Sequence, residues 1–178
     1  MIAAAILACG MHVAPATLEA IVRVESGGNP LALHVNHLSG HQPVASTAAD
    51  AAAIARRYIA QGYSVDLGML QVNNRHLLAL GDTIEDAFDP CRNVAAGAAI
   101  LSADYARTVG EFGEGQKALL AALSAYNTGE FARGFENGYV GRVVGISNIA
   151  LPPDLLPNPY TAATEVYSGE GDSHVRID

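Results

Sequence analysis

From Val94 to Val109 the apolar residues Val94, Ala98, Leu101, Tyr105 and Val109 recur every third or fourth position. That interval is helical, so one face of a long helix must be covered by other elements. Asp89-Pro90 reads as an N-cap followed by proline in the first turn, and Gly110 as the terminator. A chain organised around such a helix needs helical partners with apolar stripes of their own.

Three other segments supply them. Pro15 fits the opening turn of a helix carrying Leu18, Ile21 and Val22, which Gly27-Gly28 ends. Thr47 and Asp50 form a capping-box pattern ahead of an alanine-rich helix running to Gly62. Leu119, Leu123 and Tyr126 share a face that closes at Asn127-Thr128-Gly129. Between the second and third helices, "GYSVDLGMLQVN" alternates Tyr63, Val65 and Leu67, a short strand leading into a glycine turn. The pattern predicts a mainly α fold, a compact helical domain over residues 1–146 with at most a small β-hairpin. Pro152, Pro153, Pro157 and Pro159 then exclude helix and central strand, so residues 147–178 read as an extended or disordered proline-rich tail, with partner binding as the alternative.

With 178 residues and 50% hydrophobic content, the chain has enough apolar side chain for one substantial core. A formal net charge of -8, with Lys117 as the only lysine, leaves too little positive surface to follow a phosphate backbone, so no nucleic-acid partner is expected. No apolar run approaches the roughly 20 residues that span a bilayer. "MIAAAILACG" is apolar but lacks a preceding Lys or Arg, which makes it a poor signal peptide. Cys9 and Cys91 admit a long-range disulfide, two buried thiols, or lipid attachment at Cys9 within "ILAC".

One residue breaks the core pattern. Continuing the stripe of Leu18, Ile21 and Val22 lands on Glu25, a carboxylate where an aliphatic belongs. Desolvation there raises its pKa, as a general acid near neutral pH requires. Taken alone, the helix equally allows Glu25 to bend to solvent or pair with Arg23. "GMLQVN", from Gly68 to Asn73, joins a permissive glycine to apolar residues and two amides, a grouping suited to an uncharged polar ligand such as a sugar. "SAYNTG", from Ser124 to Gly129, places a phenol and an amide at a helix end. Either stretch alone is also compatible with packing or capping. Nucleotide-binding, α/β-hydrolase and zincin motifs are absent. His34, His37 and His41 lack nearby Cys, Asp or Glu to complete a coordination sphere, so no metal site is expected.

In order, "ESGGNPLAL", "GMLQVN" and "AYNTG" resemble the three signatures of the soluble lytic transglycosylases, lysozyme-like α+β enzymes that cleave the glycan strands of peptidoglycan. "LALHVN", the inserted helix before "GYSVDLG", and "DPCRNVAAGAAIL" are most similar to the branch associated with type IV secretion systems. The resemblance implies that Glu25 is the single catalytic acid/base, without a cofactor, and that Ser26 is its neighbour in the motif. Gly68, Met69, Leu70 and Gln71 would form the floor beneath the sugars, with Tyr126 and Asn127 facing Glu25 and the substrate. The family commonly reads Gly-Leu-Met-Gln where this chain has Gly68-Met69-Leu70-Gln71. Tyr126 is the expected hydrogen-bond partner of Glu25, and Asp66 is read as a turn or structural residue rather than a second catalytic carboxylate. Peptidoglycan glycan strands, and type IV secretion components, are the implied partners. The implied compartment is the periplasm, where Cys9 and Cys91 can oxidise. A lysozyme-type hydrolase and a non-catalytic glycan-binding or secretion scaffold are the alternatives.

Overall fold

The structure, a computed structural model, describes residues 2–147. The proline-rich tail expected from residue 147 therefore lies, apart from Ser147, outside the described residues. The chain order is α1 (Ile2–Cys9), α2 (Pro15–Glu25), β1 (Leu33–Val35), α3 (Ala48–Ala60), β2 (Val65–Leu67), β3 (Val72–Asn73), α4 (Asn74–Leu80), α5 (Pro90–Phe112), α6 (Gln116–Thr128), α7 (Arg133–Glu136) and α8 (Tyr139–Ser147). A 3₁₀ turn at Asp86–Phe88 precedes α5. None of these helices is long and apolar enough to cross a membrane.

The central helix is α5. Asp89 caps it by accepting from the Arg92 N–H at 2.9 Å, and Pro90 occupies the first turn. It runs past the expected stop at Gly110 to Phe112. A glycine inside a helix costs only about 1 kcal/mol, whereas Gly113 at φ 73° leaves the helical region altogether. Val94, Ala98 and Leu101 are buried, and α6 packs alongside through Leu120 and Leu123. The Thr108 hydroxyl donates to the Ala118 carbonyl at 2.9 Å, a buried bond between the two helices. Ser124 ties α7 to α6, donating to the Glu130 carbonyl at 2.7 Å and accepting from the Gly134 N–H at 2.8 Å.

Leu18, Ile21 and Val22 of α2 are fully buried, and α8 covers that helix with Val140, Val143 and Val144. Thr47 caps α3, accepting from the Asp50 N–H at 3.1 Å. The Asp50 carboxylate reaches one residue beyond the expected box and accepts from the Ser46 N–H at 3.0 Å. Ala51, Ala52 and Ala55 then let α3 approach the sheet closely.

The sheet is antiparallel in the order β1-β2-β3, with Leu33 opposite Leu67 and Leu67 opposite Val72. It is a hairpin, as expected, enlarged by β1, whose three residues are too few to show alternation in sequence. The N-terminal segment, read above as a poor signal peptide, is α1. Ile6 is buried, and α1 packs against α5. Cys9 and Cys91 are joined as a disulfide across a Cα–Cα distance of 5.4 Å, the first of the readings open to these two cysteines.

Candidate active site

Glu25 is the last residue of α2 and continues the buried stripe, so its carboxylate leaves the core at the wall of a cleft of about 810 Å³. Arg23 is not its partner, because Arg23 pairs with Glu19 at 2.6 Å on the exposed face. Burial pushes the Glu25 carboxyl up from 4.5 to about 7. A hydrogen bond from Tyr139 opposes that rise, the Asp66 charge adds to it, and the Arg142 charge opposes it.

The expected partnership with Tyr126 is corrected here. Tyr139 donates its hydroxyl to Glu25 Oε1 at 2.6 Å. The Tyr126 hydroxyl is spent instead on the Leu70 carbonyl, at 2.7 Å. The reason is the packing of α8 on α2, which brings Tyr139 to the carboxylate across 114 positions of sequence. The tyrosine did leave a signal, since Tyr139, Val140, Val143 and Val144 share helical spacing and a phenol heads that stripe. A phenolic O–H on an apolar face needs an acceptor, just as an acid there needs a donor.

The floor is a clamped turn. Gly68 sits at φ 73°, and a Cβ there would lie 2.3 Å from the Ala87 carbonyl oxygen. Asn93, 1% exposed on α5, accepts from the Leu70 N–H at 2.8 Å and donates to the Leu67 and Ala87 carbonyls at 2.9 Å each. The Ser26 hydroxyl donates to the Met69 carbonyl at 2.7 Å, and Gln71 Nε2 to the Gly68 carbonyl at 2.8 Å. Gly97 leaves room for this arrangement, because a Cβ there would meet Leu70 Cδ1 at 2.6 Å and the Tyr126 hydroxyl at 3.1 Å.

This clamp changes which motif residues face the cleft. Met69 and Leu70 are buried at 1% and 0% exposure, and neither they nor Gly68 line the cleft, contrary to the sugar-contacting floor expected of them. Hydrogen bonds fix the turn so that both apolar side chains enter the core, where they remove more apolar surface from water than at a wet cleft. Gln71, at φ 48°, lines the cleft together with Val72 and Asn73 of the same motif. Ser26 supports the floor from behind. Tyr126 and Asn127 do line the cleft, and Asn127 Oδ1 accepts from Asn137 Nδ2 at 2.8 Å.

Sequence reasoning left Asn93 out as well. An Asn next to Val94 on the inward face of a long helix is the detectable trace, since such an amide must be satisfied inside. Asp66 shares the cleft with Glu25. Its carboxylate accepts from Asn36 Nδ2 at 2.9 Å and Asn73 Nδ2 at 2.6 Å. His34 and His37 also line the cleft, and no three His, Cys, Asp or Glu among the described residues are placed to hold a metal.

A mainly helical domain with a small antiparallel sheet, a desolvated acid at a helix end and an open cleft is the architecture of a lysozyme-like fold. Residues 3–145 match the Transglycosylase SLT domain, and the chain belongs to that family. Among curated relatives, the protein virB1 of Agrobacterium fabrum is 38% identical over 145 residues, spanning 82% of this chain and 58% of its own length. The type IV secretion system protein virB1 of Brucella abortus biovar 1 is 38% identical over 157 residues, 83% of this chain and 64% of its own. The chain thus spans about three fifths of the length of the curated relatives it matches. No solved structure matches it.

Proposed function

We propose that this domain is a peptidoglycan lytic transglycosylase, a lyase that cleaves the MurNAc-GlcNAc β-1,4 bond and leaves a 1,6-anhydro-muramyl end. The observation that carries this reading is Glu25, with its carboxyl raised to about 7 and a tyrosine hydroxyl on Oε1 at 2.6 Å. A carboxyl so tuned serves as acid first and base second at neutral pH.

In the first step the Glu25 proton passes to the glycosidic oxygen, the C1–O4 bond breaks, and the N-acetyl group of the muramyl sugar stabilises the cationic C1. In the second, the same sugar's 6-hydroxyl attacks C1 and its proton returns to Glu25. No water is consumed. Tyr139 holds the ionised carboxylate between the two steps. Gln71 and Asn127 supply amide contacts to the sugars, while Ser26, Gly68, Met69, Leu70 and Tyr126 act through the clamped floor.

A second reading has a specific observation behind it. Asp66 lines the same cleft, which supports a two-carboxylate lysozyme-type hydrolysis as the alternative. Mass spectrometry of digested cell wall separates the two: anhydro-muramyl ends are expected, about 18 mass units lighter than hydrolytic products. Reducing ends would overturn the transglycosylase reading. The names of the relatives support a role in opening the wall for a type IV secretion or conjugation apparatus, in the periplasm. The Cys9–Cys91 disulfide suits that oxidising compartment.

A further inference from the structure

Arg142 is exposed one turn after Tyr139 on α8, a helix whose Val140, Val143 and Val144 are buried. Among the described residues Arg23, Arg56, Arg92, Arg107 and Arg133 each pair with a neighbouring carboxylate, and Arg142 has no such ion pair. Its guanidinium is used differently. The central carbon lies 5.9 Å from the centre of the Tyr139 ring, within reach of a cation over a π face. Nη1 donates to the Asn137 carbonyl at 3.3 Å. Gly138, at φ 76°, makes the turn between them, and a Cβ there would stand 3.4 Å from the same nitrogen, so the guanidinium lies against the turn.

Asn137 is the hub of that turn. Its Oδ1 accepts from the Tyr139 N–H at 2.9 Å, and its Nδ2 donates to Asn127 Oδ1 at 2.8 Å. One short segment therefore fixes the backbone of Tyr139, whose hydroxyl reaches Glu25, and the side chain of Asn127, which lines the cleft. Arg142 holds the segment from the solvent side and does not itself line the cleft.

Charge adds to this geometry. Glu25 is faced by Tyr139 and Arg142 from α8, by Asp66 from β2 and by Tyr126 from α6. Arg142 is the cation of that group, since Arg23 on the helix of Glu25 pairs with Glu19. The Asp66 charge opposes ionisation of Glu25, and the Arg142 charge favours it. The same guanidinium lowers the pKa of the Tyr139 hydroxyl against the rise that burial imposes, which makes it a better donor to a carboxylate.

We propose that Arg142 is a positioning residue: by stacking on Tyr139 and holding the Asn137 turn, it aims the tyrosine hydroxyl at Glu25 and keeps a positive charge near that carboxylate while it is ionised. The inference rests on the acid/base role proposed above for Glu25.

The test is the pH profile of cell-wall cleavage by the wild type, Arg142→Gln and Arg142→Lys, with Glu25 titrated in the same proteins by NMR of its side-chain carboxyl carbon. Loss of the cation disfavours the ionised form, so Arg142→Gln should move both the carboxyl titration and the falling limb of kcat/KM up by about half a pH unit. Its kcat should fall about fivefold with KM unchanged, because the residue does not line the cleft. Arg142→Lys keeps the charge without the planar stack, so it should hold most of the limb's position while losing part of kcat. A limb and a titration that stay in place in Arg142→Gln, or that move as far in Arg142→Lys, would overturn the inference whatever happens to the rate. A wild type that cleaves no cell wall would strike the glycan reading instead, and the NMR titration would still decide whether Arg142 acts on Glu25.

Discussion

Glu25 and Asp66 stand in one cleft and are treated in opposite ways. Asp66 comes from a strand and receives two amide donors, from Asn36 and Asn73, which replace water around its carboxylate. Glu25 ends an apolar helix face and receives a single hydroxyl, and burial raises its pKa. The difference teaches how one fold gives two carboxyls in the same cleft opposite surroundings. The helix withholds solvation from the first, and the sheet supplies it to the second.

The deepest break of that comparison is Glu25→Gln, which keeps shape and the Tyr139 contact but removes the transferable proton. Cleavage should fall by at least about a thousandfold with the fold intact, read from turnover and circular dichroism. Retention of most activity would return Glu25 to a structural role.

The same variant reports on stability. The folded carboxyl holds its proton up to about 7, while the unfolded one releases it near 4.5. The folded state therefore binds more protons in that window, and wild-type stability falls as pH rises from about 4.5 to about 7. Glu25→Gln lacks this loss, so it should exceed the wild type by about 3 kcal/mol at pH 8 and match it at pH 4, a gap readable by denaturant titration at the two pH values. A gap that does not depend on pH would mean that the carboxyl is not desolvated.

Tyr139→Phe sharpens the contrast by leaving Glu25 with no hydrogen-bond donor among the described residues. Because the lost hydrogen bond lowers the carboxyl's pKa, its removal should move the falling limb of kcat/KM to higher pH and cut the neutral rate about tenfold. An unmoved limb would detach Tyr139 from the chemistry. The smallest effect is expected from Asp66→Asn, which should cost about fivefold through misplaced Asn36 and Asn73 while the product stays anhydro. A loss as deep as that of Glu25→Gln would make Asp66 the second catalytic carboxylate of a hydrolase.

Legibility followed local signals. The helices α2, α3, α5 and α6 were readable because each joins an apolar stripe, or an alanine-rich body, to an explicit start or stop. The helix α1 carries almost only apolar residues and so shows no face, and the valines of α8 are diluted by Gly141 and Gly145. Neither pattern stands out until partners are present. The site divides along the same line. Glu25 was visible as an exception to its stripe, whereas Tyr139 became its partner only when α8 met α2. The Gly68 to Gln71 motif was visible as a group, but the sequence did not say that Met69 and Leu70 point inward. Asn93, Ser26 and Tyr126 decide that, through bonds from α5, the end of α2 and α6.

The sequence by itself determined a mainly helical domain, an acid placed against the core pattern at a helix end, and the three ordered motifs that mark the family. These are properties of neighbouring residues, written in periodicity and spacing. Tertiary structure alone decided that Cys9 reaches Cys91, that Tyr139 rather than Tyr126 touches Glu25, and that Asp66 shares the cleft. Each of those depends on contacts between residues distant in the chain, which form only when packed helices and a three-stranded sheet bring them within a few ångströms.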